Sequence, residues 1–201
     1  MRFFAIQYQI LFHDTMAYGS HHHSTNITFQ NTARETLLFL SARNGQPPWQ
    51  VQLKDIIILT RETYSLNLAA AMLGEKVAVL TSYENPTRST VRLCFRTINA
   101  EGKPVACGYQ TMILLDKDTL ELVPGPPLLA QYVDPNYENS LIEDLVNPSF
   151  AERVHSGSKE LKNIFSEDVC ELGRRIATAP LQESYPRFVS IVKKINGEQS
   201  M

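Results

Sequence analysis

Residues 56–115 are dominated by β-branched and aromatic side chains, so this one run has to supply most of a sheet, and three or four strands fit within it. In STVRLCFRTI, Val91, Leu93 and Phe95 fall on one face while Arg92, Cys94 and Arg96 fall on the other. NAEGK then gives a glycine-containing turn into PVACGYQTMILL, so the two runs predict an antiparallel hairpin, and DKDTLELVPGPP closes the sheet region. Ahead of the run, Phe4, Ile6, Tyr8, Ile10 and Phe12 alternate with partners that include Gln7 and Gln9, the period of a strand. Between them lies NITFQNTARETLLFLSARNG, where Phe29, Ala33, Leu37 and Leu40 recur at helical spacing. Ser24 to Asn26 offer caps for this helix, Thr32 and Glu35 have the spacing of a later capping box, and Asn44-Gly45 makes a stop before the linker GQPPWQVQ. The order strand, long helix, strand meander predicts an α+β fold in which an antiparallel sheet wraps one central helix.

A chain of 201 residues holds one such domain with an appendage. Beyond about residue 134 the pattern changes: 141–146, 160–176 and 185–195 carry helical spacing broken by HSGSK and APLQES. This predicts a domain over 1–133 and a helical C-terminal extension over 134–201. The hydrophobic share of 43% and charged share of 20% are those of a folded globular chain, and a net charge of −2 gives no broad reason to expect nucleic acid. Cys94, Cys107 and Cys170 form no CxxC pair, and Cys94 and Cys107, in strand-like runs, read as buried apolar residues, which fits a reducing cytoplasm. The opening MRFFAIQYQILF is broken by Gln7 and Gln9 before a signal-peptide core is complete, and no apolar run approaches the roughly 20 residues of a membrane helix.

The segment FHDTMAYGSHHHSTNITFQNTARE, residues 12–35, contains four of the 5 histidines. Adjacent imidazoles do not converge on one ion in a strand or a helix, and there is no HExxH and no Cys/His pair at finger spacing, so no metal is expected. Asp14 stands where a strand ends and a helix is about to begin, either as a turn carboxylate or as a general base or nucleophile at a cleft. Gly19 suits a sharp turn. The stretch from Gly19 to Ser24 leads into a helix N-terminus, whose unpaired N–H groups can hold an oxyanion, which is the chemistry of acyl transfer. Arg34 and Glu35 are adjacent charges on an otherwise apolar helix and need partners or a wet cleft.

FHDTMAYGSHHHSTN resembles the strand-to-helix motif of hotdog-fold acyl thioesterases of the 4-hydroxybenzoyl-CoA thioesterase type, in which an aspartate is followed by a glycine five residues on and a histidine or tyrosine four further. Asp14, Gly19 and His23 occupy those places. Through FQNTARE the chain is more similar to the hotdog thioesterases that release polyketides from carrier proteins in enediyne biosynthesis, with Phe29, Gln30, Arg34 and Glu35 matching. The resemblance spans about residues 3–130, including a glycine before the third strand. Thr25-Asn26 stands where the family has Asn-Tyr, and Met16 where it has an acidic residue or asparagine.

The resemblance implies a hotdog fold and a thioesterase, with Asp14, Gly19, His23 and Arg34 catalytic and His22, Asn26, Gln30 and Glu35 binding substrate. It implies no cofactor and no metal. The implied substrate is an acyl thioester on a carrier protein or coenzyme A, in polyketide or fatty-acyl metabolism. It also implies a homodimer or homotetramer with the cleft at the seam. Arg88, Arg92 and Arg96 offer a strip for an acidic carrier or for phosphates, against solvent-facing strand positions as the alternative. Acyl transfer or decarboxylation on the same scaffold and a non-catalytic acyl-binding protein are the competing functions; the hydratase signature is absent.

Overall fold

Alternation along β1 and β4 decides which side of the sheet receives the helix. The computed structural model describes residues 3–40, 55–84, 90–125, 162, 164–180 and 189–191. Its elements are β1 (Phe4–Gln9), a 3-10 turn (Phe12–Asp14), α1 (Thr25–Leu40), β2 (Ile56–Asn67), β3 (Lys76–Glu84), β4 (Thr90–Asn99), β5 (Pro104–Asp116), α2 (Glu167–Thr178) and β6 (Val189–Ile191). All pairings are antiparallel, in the order β2-β5-β4-β3-β1-β6. Phe4, Ile6 and Tyr8 of β1 and Val91, Leu93 and Phe95 of β4 pack with Phe29, Ala33 and Leu37 of α1 in one core. This is the expected α+β arrangement, with β4 and β5 as the expected hairpin. The expected helix stop at Asn44-Gly45 and the linker after it lie outside the described residues, as do Arg88 and 141–146.

Gly108 on β5 permits the closest approach in this layer. A Cβ there would lie 2.1 Å from Tyr64 O and 2.5 Å from Gln30 Nε2, so any side chain would part β2 or α1 from β5.

The opposite face of the sheet is also covered. Ala5, Ala78, Leu80, Ile98 and Cys107 pack with Ile164, Phe165, Val169, Ile176 and Ala177 in a second core. Ser166 caps α2 by accepting from Val169 N, and Gly173 fits flush on Ile98, where a Cβ would come within 2.5 Å of Cδ1. Gln7 is fully buried; its Nε2 donates to Ile176 O at 3.0 Å, Ala177 O at 2.9 Å and Ala179 O at 2.8 Å. These carbonyls lie at and just beyond the C-terminal end of α2, where intrahelical donors run out; Ile176 O also accepts from Ala179 N.

The covered face corrects two sequence expectations. Arg96 is not part of a surface strip: it is 2% exposed, donates to Ile164 O and Ser82 Oγ, and lies over the Phe3 ring. Arg92 donates to Thr111 Oγ1 and covers Tyr109. Residues 189–191, expected within a helix, form β6 against β1, because three residues beside an open strand edge satisfy the ladder without helical periodicity.

Gln7→Leu should lower the unfolding free energy by about 1–3 kcal/mol, since the carbonyls of α2 lose a buried donor. Urea denaturation measures this, and an unchanged midpoint would mean that α2 adds nothing to the stability of the sheet.

Candidate active site

The junction between β1 and α1 is built by backbone bonds across two loops. Gly19, at φ +77°, makes the turn, with its N–H on Met16 O and its carbonyl accepting from Leu73 N. Ser20 bridges to Met72, and His21 N donates to Ala71 O at 2.7 Å, so the β2–β3 connection is strapped to the strand-to-helix segment. Gly74, at φ +84°, is the expected glycine ahead of the third strand.

Between these loops lies an open cleft of about 290 Å³, lined by Met16, Ser20, His21, His23 and Asn67 and floored by Leu68, Ala69 and Ala70. Exposed Met16, Met72 and Leu73 give its surroundings apolar character.

Asp14 is 4% exposed. Its Oδ2 accepts from Leu11 N at 2.9 Å, the Tyr8 hydroxyl lies 3.3 and 3.4 Å from its two oxygens, and His13 Nε2 approaches to 3.5 Å. Burial, and then the Asp14 charge, push the Tyr8 hydroxyl up to about 12, so it stays a donor toward the carboxylate. The Asp14 carbonyl accepts from His22 N and Thr25 Oγ1, fixing the start of α1. Asp14 thus stands at the junction, although its side chain is not among those lining the cleft.

Most N–H groups entering α1 are engaged: His22 N on Asp14 O, Ser24 N on His22 Nδ1, Thr25 N on His22 O and Ile27 N on Ser24 O. The His23 N–H donates to no described group. His23 is exposed, lines the cleft and rests its ring against that of His22.

The other expected residues run down α1 away from the cleft. Asn26 contacts His21 Nε2 at 3.2 Å and Asn67 Oδ1 at 2.5 Å through its Nδ2. Gln30 donates to Tyr64 O at 3.1 Å. Arg34 donates to Thr60 Oγ1 at 3.0 Å and Gln110 Oε1 at 2.9 Å, and lies 3.5 Å from the exposed Glu35 carboxylate. Arg34 is eight residues beyond Asn26, about 12 Å along the helix, so it does not share the cleft with His23. Among the described residues, no group of three or more histidine, cysteine or acidic side chains is arranged to hold a metal ion, and no helix is long and apolar enough to cross a membrane.

Sequence reasoning missed His21 and Asn67. His21 is buried; its Nδ1 accepts from Ala71 N at 2.8 Å and lies 3.3 Å from Ala71 O. Burial, the largest influence, holds its pKa below the usual 6.5 against the upward pull of the Ala71 carbonyl, Asp14 and Glu75, with His22 adding to the depression.

No protein-family model and no curated protein sequence matches the chain. Solved structures do. The dynemicin thioesterase superposes with a TM-score of 0.58 at 19% identity, over 66% of this chain and 99% of its own. A 1,4-dihydroxy-2-naphthoyl-CoA thioesterase from Synechocystis gives 0.55 at 14%, over 68% and 100%. A DHNA-CoA thioesterase from Staphylococcus aureus gives 0.52 at 18%, over 82% and 95%.

A depressed histidine pKa stabilises the fold fully above the ordinary value of 6.5, and that stability is lost as pH falls from there through the folded-state value. Unfolding free energy should therefore drop as pH falls below about 6.5, at up to about 1.4 kcal/mol per unit, and His21→Gln should flatten this slope. Equal slopes in the two proteins, measured by denaturant titration, would separate His21 from the acid response. The fold of the chain is the hotdog fold of these thioesterases.

Proposed function

We propose that the protein hydrolyses an acyl thioester carried by coenzyme A or by a carrier protein. The observation that carries this reading is that His23, whose N–H donates to no described group, stands just ahead of α1 and lines the open cleft. A carbonyl oxygen gaining negative charge in a tetrahedral intermediate needs such a donor, and the helix N-terminus adds favourable potential. The likeness to named thioesterases supports the same chemistry.

Asp14 serves as base or nucleophile. As base, it takes a proton from water while the water oxygen bonds to the thioester carbon; the intermediate then expels the thiolate, which recovers a proton, and the free acid leaves. Leu11 and Tyr8 hold the carboxylate without using all of its acceptor positions. Gly19 sets the turn that aims the helix start, His22 supports His23 there, and Asn26 acts on the substrate side through its contact with Asn67.

Gln30, Arg34 and Glu35 act further along, where a second copy completes the site. β2 supports this arrangement: it is an edge strand of 12 residues, unpaired on its outer side among the described residues, with Leu59 47% exposed. Such an edge is a template for pairing with another copy. Cover of the opposite sheet face by α2 favours a dimer over a tetramer built on that face. A polyketide chain on a carrier protein is the finer reading, in line with the dynemicin likeness. A non-catalytic acyl-binding role is the second reading, favoured by the burial of Asp14 away from the cleft lining.

Asp14→Asn keeps the shape of the side chain and should lower hydrolysis by about 100- to 10,000-fold at unchanged secondary structure. Full turnover in that variant would remove Asp14 from the chemistry and favour the cleft residues themselves. Leu59→Lys should convert a dimer to monomer in sedimentation; a monomeric parent protein would contradict the β2 seam.

A further inference from the structure

The Ala71 N–H cannot be turned round, whereas side-chain amides can. It meets His21 Nδ1 at 2.8 Å, closer than the 3.3 Å from Nδ1 to the Ala71 carbonyl, which already accepts from His21 N at 2.7 Å, so Nδ1 acts as the acceptor and carries no proton. A neutral imidazole then carries its hydrogen on Nε2 and donates from there. The Asn26 atom facing Nε2 at 3.2 Å is therefore an acceptor, Oδ1, and the amide is turned half round from the Nδ2 assignment. That same atom meets the Asn67 amide at 2.5 Å, so Asn67 presents its NH2 to it. In either orientation one Asn26 amide atom stays buried without a partner, so the fixed Ala71 donor decides between them. The Asn67 oxygen is then the atom left to the cleft, which Asn67 lines from an exposed position at the end of β2.

We propose that Ala71, His21, Asn26 and Asn67 form one directional hydrogen-bond relay that turns the Asn67 side-chain oxygen into the cleft as acceptor for an amide N–H of a pantetheine arm. His21 and Asn26 are positioning residues in this scheme; Asn67 touches the ligand. The choice of ligand rests on the thioesterase reading, because coenzyme A and a loaded carrier protein both present the thioester on this arm, whose backbone holds amide donors. The relay itself does not rest on that reading. Protonation of His21 puts a hydrogen on Nδ1 against the Ala71 N–H and breaks the first link. The charged or titratable groups facing the ring are Asp14, Glu75 and His22.

The test uses the full chain and titration calorimetry with pantetheine, coenzyme A, and a carrier protein with and without its arm, alongside nitrogen NMR of the His21 ring. At pH about 7 the ring should be the neutral Nε2–H form. Asn67→Leu removes the acceptor together with the partner of Asn26, so its fold is checked by circular dichroism, and it should weaken pantetheine, coenzyme A and the armed carrier alike by about tenfold at unchanged secondary structure. Preference for one armed ligand in the parent protein identifies the source of the arm. Equal binding by parent and variant overturns the proposal. So does an equal loss for the carrier without its arm, an absence of pantetheine binding by the parent, or an Nδ1–H ring. Binding that depends on Asn67 without any hydrolysis would remove the thioesterase reading and leave the relay standing.

Discussion

Helix α1 lies inside the sheet, where Asn26, Gln30 and Arg34 each make at least one hydrogen bond to a strand. Phe29, Ala33 and Leu37 supply the apolar face and are fully buried. Asn26, Gln30 and Arg34, at successive four-residue steps, meet Asn67, Tyr64 O, and Thr60 with Gln110. A buried polar group without a partner costs about 1–3 kcal/mol, so three such residues on a central helix would oppose the fold if β2 shifted register by one residue. Gly108 makes the seam possible, because no larger residue leaves room for Gln30 to reach the β2 backbone. The same register delivers Asn67 to the cleft, so folding and site assembly share one constraint.

Period-two alternation made the inner face legible. Phe4, Ile6 and Tyr8, and likewise Val91, Leu93 and Phe95, all point to the helix. Alternation could not say what lies on the other side. Gln7 and Arg96 have the side chains of exposed residues, yet both are buried, because α2 and Ile164 just ahead of it supply hydrogen-bond acceptors from more than 65 residues away in sequence. The site was legible in the same uneven way. Asp14, Gly19 and His23 gather at one junction, as their spacing implies. Arg34 belongs instead to the β2 edge, because a helix carries it about 1.5 Å further per residue. His21 was hidden within a run of three histidines; what distinguishes it is Ala71, a partner 50 residues away that no local pattern announces.

α2 changes what the sheet can offer to partners. The dynemicin thioesterase is matched over 99% of its own length but over 66% of this chain. Here one sheet face is closed in cis by Ile164, Phe165, Val169 and Ile176. The β2 edge remains unpaired on its outer side among the described residues. α2 lies on the face opposite α1.

The central claim is hydrolysis of a thioester at the β1–α1 junction. Incubating the full chain in heavy-oxygen water with a panel of acyl-coenzyme A and acyl-carrier substrates, and weighing the products by intact mass, tests it directly. The account predicts free thiol together with an acid carrying one heavy oxygen, and loss of both products in Asp14→Asn. Intact thioesters across the panel, or an acyl group recovered on another acceptor without heavy oxygen, would contradict it.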